Sequence, residues 1–296
     1  MKTSKPLPGA RAFALASLAA LSLAGAAARA SAQTPSASPA PTPTPAGARA
    51  LDAPQQTRPA AKADAKAEEV LRRAVEAMGG PAYLAVNSVV SRGNYTPYAD
   101  GAATLPVKFT DYLVFPDRER VEFKGSALRS VETYTRDGGW IYDGAKLTLK
   151  DATPDQMRGF RTALRTSLDN ALRGWWRAEG AELAYVGRRE AGLARRNEVV
   201  RITYPDGFSV EFEFGARDGL PSKVVYRKAG AGGEEAEEED RYAQFLSVGG
   251  VTVPFVVDHF RAGTQSSRVN YEAIEFNRPV PDALFAKPAD ARSFKY

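Results

Sequence analysis

The sequence predicts a mainly β fold with covering helices, an α+β protein built on one antiparallel meander. Three features point to it. From Ser88 onward, apolar residues recur with period two in about a dozen short segments. Most of these segments are joined by hairpin chemistry: "YDGAK" (142–146), "YPDGF" (204–208), "ARDGLP" (216–221) and "SVGGV" (247–251). Helical periodicity appears only twice, just before the first strand and again at 154–176.

In chain order, "AKAEEVLRRAVEAMGG" places Val70, Leu71, Ala74, Val75 and Met78 at helical spacing, and Gly79-Gly80 before Pro81 is a stop signal. Candidate strands follow at 88–96, 106–115, 118–124, 130–136, 139–143 and 146–150. After an interruption come 182–189, 197–204, 208–215, 221–228, 241–247, 251–261 and 266–277. The interruption, "PDQMRGFRTALRTSLDNALRGWW", sets Met157, Phe160, Leu164, Leu168 and Trp175 on one helical stripe. Arg158, Arg161, Arg165 and Arg173 fall mostly opposite. A single amphipathic helix, apolar side against the sheet, is expected there. One β domain over 65–296 accommodates all of these elements.

Two segments precede that domain. Residues 1–32 have a basic start (Lys2, Lys5, Arg11), an apolar run at 12–28 and small residues up to Ala32, the layout of a secretory signal peptide. Residues 33–64 are rich in Pro, Ala and Thr and poor in large apolar residues, so a disordered tether is expected. The mature protein is therefore expected to be soluble, periplasmic and not membrane-spanning.

Composition excludes much chemistry. There is no cysteine and one histidine, which removes disulfides, thiol catalysis and zinc or iron–sulfur sites of ordinary ligand type. The chain carries 40 Lys+Arg against 35 Asp+Glu. Loss of Lys2, Lys5, Arg11 and Arg29 with the leader leaves 36 against 35, and the basic residues are interspersed with acids. A nucleic-acid surface needs clustered positive charge and is not expected.

His259 sits in "VPFVVDHFRAG", where alternation puts it on the face opposite Asp258, and no G-x-S-x-G elbow marks a nucleophile. It reads as a structural residue, and Pro254 as an edge or bulge position. "AGAGGEEAEEEDR" (229–241) lacks the ordered ligands of a calcium loop and reads as a solvated hairpin connection. Glu119, Glu122, Glu132, Glu211 and Glu213 lie on strands; they are either a carboxylate acid–base couple or outward-facing surface residues. No catalytic residue, metal site or cofactor is expected.

The features taken together resemble the bacterial outer-membrane lipoprotein-sorting (LolA/LolB-like) superfamily. The resemblance rests on the leader and on the helix "AEEVLRRAVEAMGGPAYLAVNSVVSRG" entering the first strand. It also rests on the "GGWIYDG" hairpin, the sheet-interrupting helix and the closing "YAQFLSVGGVTVPFVVDHFRAG…RVNYEAIEFNRPVPDALFAKP". It covers most of 66–288. It implies a strongly curved antiparallel sheet, an incomplete barrel, with helices over its concave face and an apolar cavity between. It further implies a non-enzymatic carrier or binder of a lipid or acylated lipoprotein. The residues expected to line the ligand site are Trp140, Tyr142, Phe160, Leu164, Leu168, Trp175 and Trp176. Two other functions fit the same sequence: an envelope-stress sensor that binds an envelope protein, and a carboxylate-dependent hydrolase.

Overall fold

A computed structural model of the chain describes residues 62–125, 129–229, 234–292 and 294. The leader and nearly all of the tether (1–61) lie outside the described residues.

The first helix is α1 (Ala65–Ala77). Asp64 caps it, accepting from the Lys66 amide at 2.7 Å, and Val70, Leu71 and Ala74 are buried. A short α2 (Pro81–Leu84) follows the Gly79-Gly80 stop. Gly79 has φ +117°, and a Cβ there would lie 2.3 Å from the Gly250 carbonyl, so the position admits only glycine. The strands that follow are β1 (Ser88–Ala99), β2 (Ala102–Ala103), β3 (Val107–Val114), β4 (Arg118–Lys124), β5 (Arg129–Thr135), β6 (Gly138–Asp143) and β7 (Thr148–Asp151). Helices α3 (Pro154–Thr166) and α4 (Leu168–Arg173) interrupt them. The second series comprises β8 (Glu182–Glu190), β9 (Arg196–Thr203), β10 (Ser209–Gly215), β11 (Pro221–Ala229), β12 (Glu235–Val248), β13 (Val251–Arg261) and β14 (Thr264–Phe276).

All strand pairs are antiparallel. The order is β7-β6-β5-β4-β3-β1-β14-β13-β12-β11-β10-β9-β8, with β2 on β1, so the sheet is a curved, incomplete barrel that does not close. The two halves meet at the sheet centre, where β1 pairs with the last strand, β14. Outside the sheet, Lys62 and Asp64 bond to Leu183 and align this segment parallel to the β8 edge. The main core lies on the concave face. There α1 and α4 and the 3-10 turn Trp175–Glu179 pack over Val200, Ile202, Val210 and Phe212.

Three local expectations are corrected. The interruption is not one helix: Ser167 is extended (ψ 145°), ends α3 and caps α4 by accepting from the Asn170 amide at 3.0 Å. The segment 229–241 is not mainly a loop, because β12 starts at Glu235. Along it, Glu238 pairs with Arg261 at 3.1 Å, and Asp240 meets His259, whose register partner it is. Burial of alternate acids against these partners extends the strand where composition alone suggests solvation. Finally, Glu119 and Glu132 do not face outward; both are buried on the concave side. Pro254 does sit beside a bulge, at Gln244 (φ 55°), and β14 pairing begins only at Val256.

Candidate ligand-binding groove and the acids behind it

Helix α3 starts at a capping box formed by Thr153 and Gln156 and lays Met157 and Phe160 against β5. The Phe160 ring stacks on Tyr134, centroids 5.2 Å apart and planes 17° apart. Past the Ser167 break, α4 is pinned from below. Tyr83 donates to Asp169 at 2.8 Å, and Arg173 donates to Asp169 at 2.8 Å and to the Tyr83 and Val86 carbonyls at 2.9 and 3.0 Å. Burial, then the Asp169 charge, pushes the Tyr83 phenol well above its ordinary range. At the C-terminal end of α3, Arg165 pairs with Glu179 at 2.7 Å and Asp206 at 2.6 Å.

Between these anchors runs an open groove of about 720 Å³, walled by Phe160, Leu164 and Trp175 and rimmed by Arg136, Arg161 and Arg165. The interior void near α2 and α4, lined by Tyr83, Val89, Leu168 and Val253, is only about 20 Å³. That is room for about one water molecule. A larger and more polar open recess of about 1060 Å³ lies at the far wing, around Gly192, Arg217 and Phe245; beside the interrupting helices, the space for a ligand is on the α3 side.

The seven residues expected to line a site do not share one surface. Phe160, Leu164 and Trp175 come together in the groove. Leu168 and Trp176 are in the main core, Trp176 fully buried with its ring nitrogen donating to the Ala171 carbonyl at 3.3 Å. The Ser167 break turns Leu168 away from the stripe that a continuous helix would carry, and the left-handed Gly174 starts the 3-10 turn that sends Trp176 inward. Trp140 and Tyr142 lie on the opposite, convex face, where Phe294 packs on both rings, 5.6 and 4.9 Å away, and the Phe285 carbonyl accepts from Trp140 at 2.9 Å. The C-terminal segment covers that face, a contact with no local signal in the sequence.

Behind the groove wall lie two of the carboxylates singled out in the sequence, Glu119 and Glu132, together with Asp111, which sequence reasoning passed over. Asp111, on β3, is 1% exposed, Glu119 3% and Glu132 5%. Among the described residues no side chain donates to either carboxyl oxygen of Asp111; the Tyr112 amide lends partial relief. Burial pushes Asp111 well above the usual carboxylate range. Glu119 is pushed up by burial and then by the charges of Asp111 and Glu132, and burial raises Glu132 to about 7. The available signal was strand phase: Asp111 alternates in step with Phe109 and Leu113, and Glu119 in step with Val121 and Phe123. Among the described residues, no three His, Asp or Glu side chains are spaced to hold a metal ion, and no helix is long and apolar enough to cross a membrane.

No protein-family model and no curated protein matches the chain. Solved structures do. A LolA superfamily protein from Nitrosomonas europaea is 15% identical with a TM-score of 0.51, over 75% of this chain and 97% of that one. A DUF1329 family protein from Desulfovibrio piger is 11% identical with a TM-score of 0.54, over 74% and 97%. At such identities the likeness is one of fold, and the chain has a LolA-like fold: an open antiparallel sheet with few helices on its concave face.

Proposed function

We propose that this chain is an exported, periplasmic binder or carrier of an apolar, acylated ligand, a lipid or an acylated lipoprotein, and that it acts by binding rather than catalysis. The observation that carries this reading is the α3 groove, which sets Phe160, Leu164 and Trp175 against about 720 Å³ of open space beside a closed concave face. Each acyl methylene buried there contributes about 0.8 kcal/mol. The LolA-like fold supports it. A carboxylate-dependent hydrolase is not favoured. Glu119 and Glu132 are buried behind the groove wall, Glu122 is tied to Arg120 at 2.8 Å, and Glu211 and Glu213 are held by arginines on the far face.

Leu164→Asp tests the reading. If α3 only covers a core, a buried unpaired charge unfolds the domain. The groove is open to water, so the variant is expected to keep its circular dichroism melt and to lose a fluorescent fatty acid by about tenfold or more. Unchanged fatty-acid affinity in a folded variant sinks the proposal, as does absence of any copurifying lipid when the protein is taken from its native envelope.

A further inference from the structure

The acids behind the groove are a site that apolar binding alone leaves unexplained. On the concave face, register sets Leu113 opposite Glu119, Asp111 opposite Val121, and Val121 opposite Glu132. Glu119 therefore lies diagonally between the other two, on the middle of three adjacent strands. Among the described residues no cation answers them: the groups acting on Glu119 are Asp111 and Glu132 themselves, and the side chain acting on Glu132 is Tyr134. The arginines of β4 project to the other face, where Arg118 meets Asp282 at 2.6 Å and Arg120 meets Glu122. On α3, Arg158 pairs with Asp155 and Arg165 with Glu179 and Asp206.

Two hydroxyls give an independent sign of a missing ligand. Ser91, opposite Asp111 in the β1–β3 register, and Tyr271, packed edge-on to Phe109 at 5.7 Å, are both more than nine-tenths buried. Neither hydroxyl oxygen has a hydrogen-bond partner. Tyr271 is within electrostatic reach of Asp111 and Glu119. Buried polar atoms left unpaired cost about 1–3 kcal/mol each, and native proteins rarely gather several in one place without a use for them.

We propose that Asp111, Glu119 and Glu132 form the head-group site for a cationic amphiphile, a primary ammonium on a long apolar chain. The head enters past the stacked Tyr134 and Phe160, and the chain stays in the groove against Phe160, Leu164 and Trp175. Tyr134 belongs to both places: its ring backs the groove wall, and its hydroxyl is 3.4 Å from Glu132. An ammonium has three donors to offer to the carboxylate acceptors of three adjacent strands. Pairing with a buried carboxylate offsets the desolvation of the head, and burial of the chain supplies the remaining affinity.

This inference rests on the groove being an apolar-ligand site, and the test separates the two. Dodecylamine, dodecanol and dodecanoate, each below its micelle concentration, are titrated into the intact exported chain at about pH 8, where the amine is charged. Dodecylamine is expected to bind about tenfold or more tighter than dodecanol, and dodecanoate more weakly than both. The double variant Asp111→Asn/Glu119→Gln, with its fold checked by circular dichroism, is expected to lose the amine preference and keep its dodecanol affinity. Dodecanol binding without an amine preference, or a preference that survives in the double variant, overturns the head-group site and leaves the groove standing. Failure of all three chains to bind removes both.

Discussion

The two wings of the sheet solve the same topological problem with opposite polar economies. In the wing from β8 to β12, α1 covers Val200, Ile202 and Phe212 on the concave face. The far face carries a ladder in which the charges answer one another: Arg189 with Glu211 and Glu213, Arg201 with Glu211, and Lys223 with Glu213 and Glu239. Asn197 completes the partners of Glu213 at 2.9 Å. In the wing from β3 to β5 the concave face holds Asp111, Glu119 and Glu132 without counter-charge. One wing is built to hold the fold; the other spends stability where α3 covers it. Such local violations of the packing rules are where function is expected.

The comparison breaks first at Phe212, which is fully buried in the scaffold wing. Phe212→Ala is expected to lower the free energy of urea unfolding by about 3–5 kcal/mol, the range for a fully buried aromatic. Asp111→Asn, in the other wing, should shift the same measurement in the opposite direction, because it removes a buried ionisable group that has no partner. A neutral Phe212→Ala would mean that the β8–β12 wing does not anchor the domain.

The next effect concerns pH. Glu132 has its pKa raised by burial to about 7, so it takes up a proton on folding over the interval between its ordinary value and 7. Stability is fully present below the ordinary carboxylate range and is lost as pH rises toward about 7 and beyond, by up to about 3 kcal/mol. Asp111 and Glu119 act in the same direction. Thermal melts should therefore fall between about pH 5 and pH 8, and Glu132→Gln should flatten part of that slope. A melting temperature that rises with pH over this window would show that the cluster has counter-charges after all.

The scaffold wing was also the more legible in sequence. Strands 197–204, 208–215 and 221–228 match β9, β10 and β11 to within a residue or two because their turns carry explicit Gly and Asp signals and their inner faces are mostly apolar. The site was legible only in part. Phe160 and Leu164 follow from helical phase alone. Trp140 and Tyr142 depend on where a distant C-terminal segment docks, Leu168 on a break at Ser167 that no glycine or proline marks, and Trp176 on the 3-10 turn that follows Gly174. The acid cluster was written in strand phase, yet a carboxylate in a strand is ordinarily solvated, and only the register of three strands shows that these face inward together.

The smallest effect expected is on the ladder. Arg201 is 46% exposed on its side chain and donates to Glu211 at 2.5 Å, but Glu211 also keeps Arg189 at 2.6 Å. Arg201→Ala therefore leaves no carboxylate stranded, and the pair loses only what an exposed ion pair contributes, about 0.2–1 kcal/mol. Glu213, 2% exposed, is different in kind, because its partners Arg189, Lys223 and Asn197 are what permit it to be buried. The Arg201→Ala difference should shrink in about 1 M salt, where the screening length falls to about 3 Å. A loss above about 2 kcal/mol that persists in high salt would mean that the ladder carries the wing's stability and the apolar face beneath it does not. A small, salt-sensitive loss places the stability in the packing of α1 over β8 and β9. The pairing of these charges then serves to keep the convex face free of the unanswered carboxylates that the opposite wing holds beneath α3.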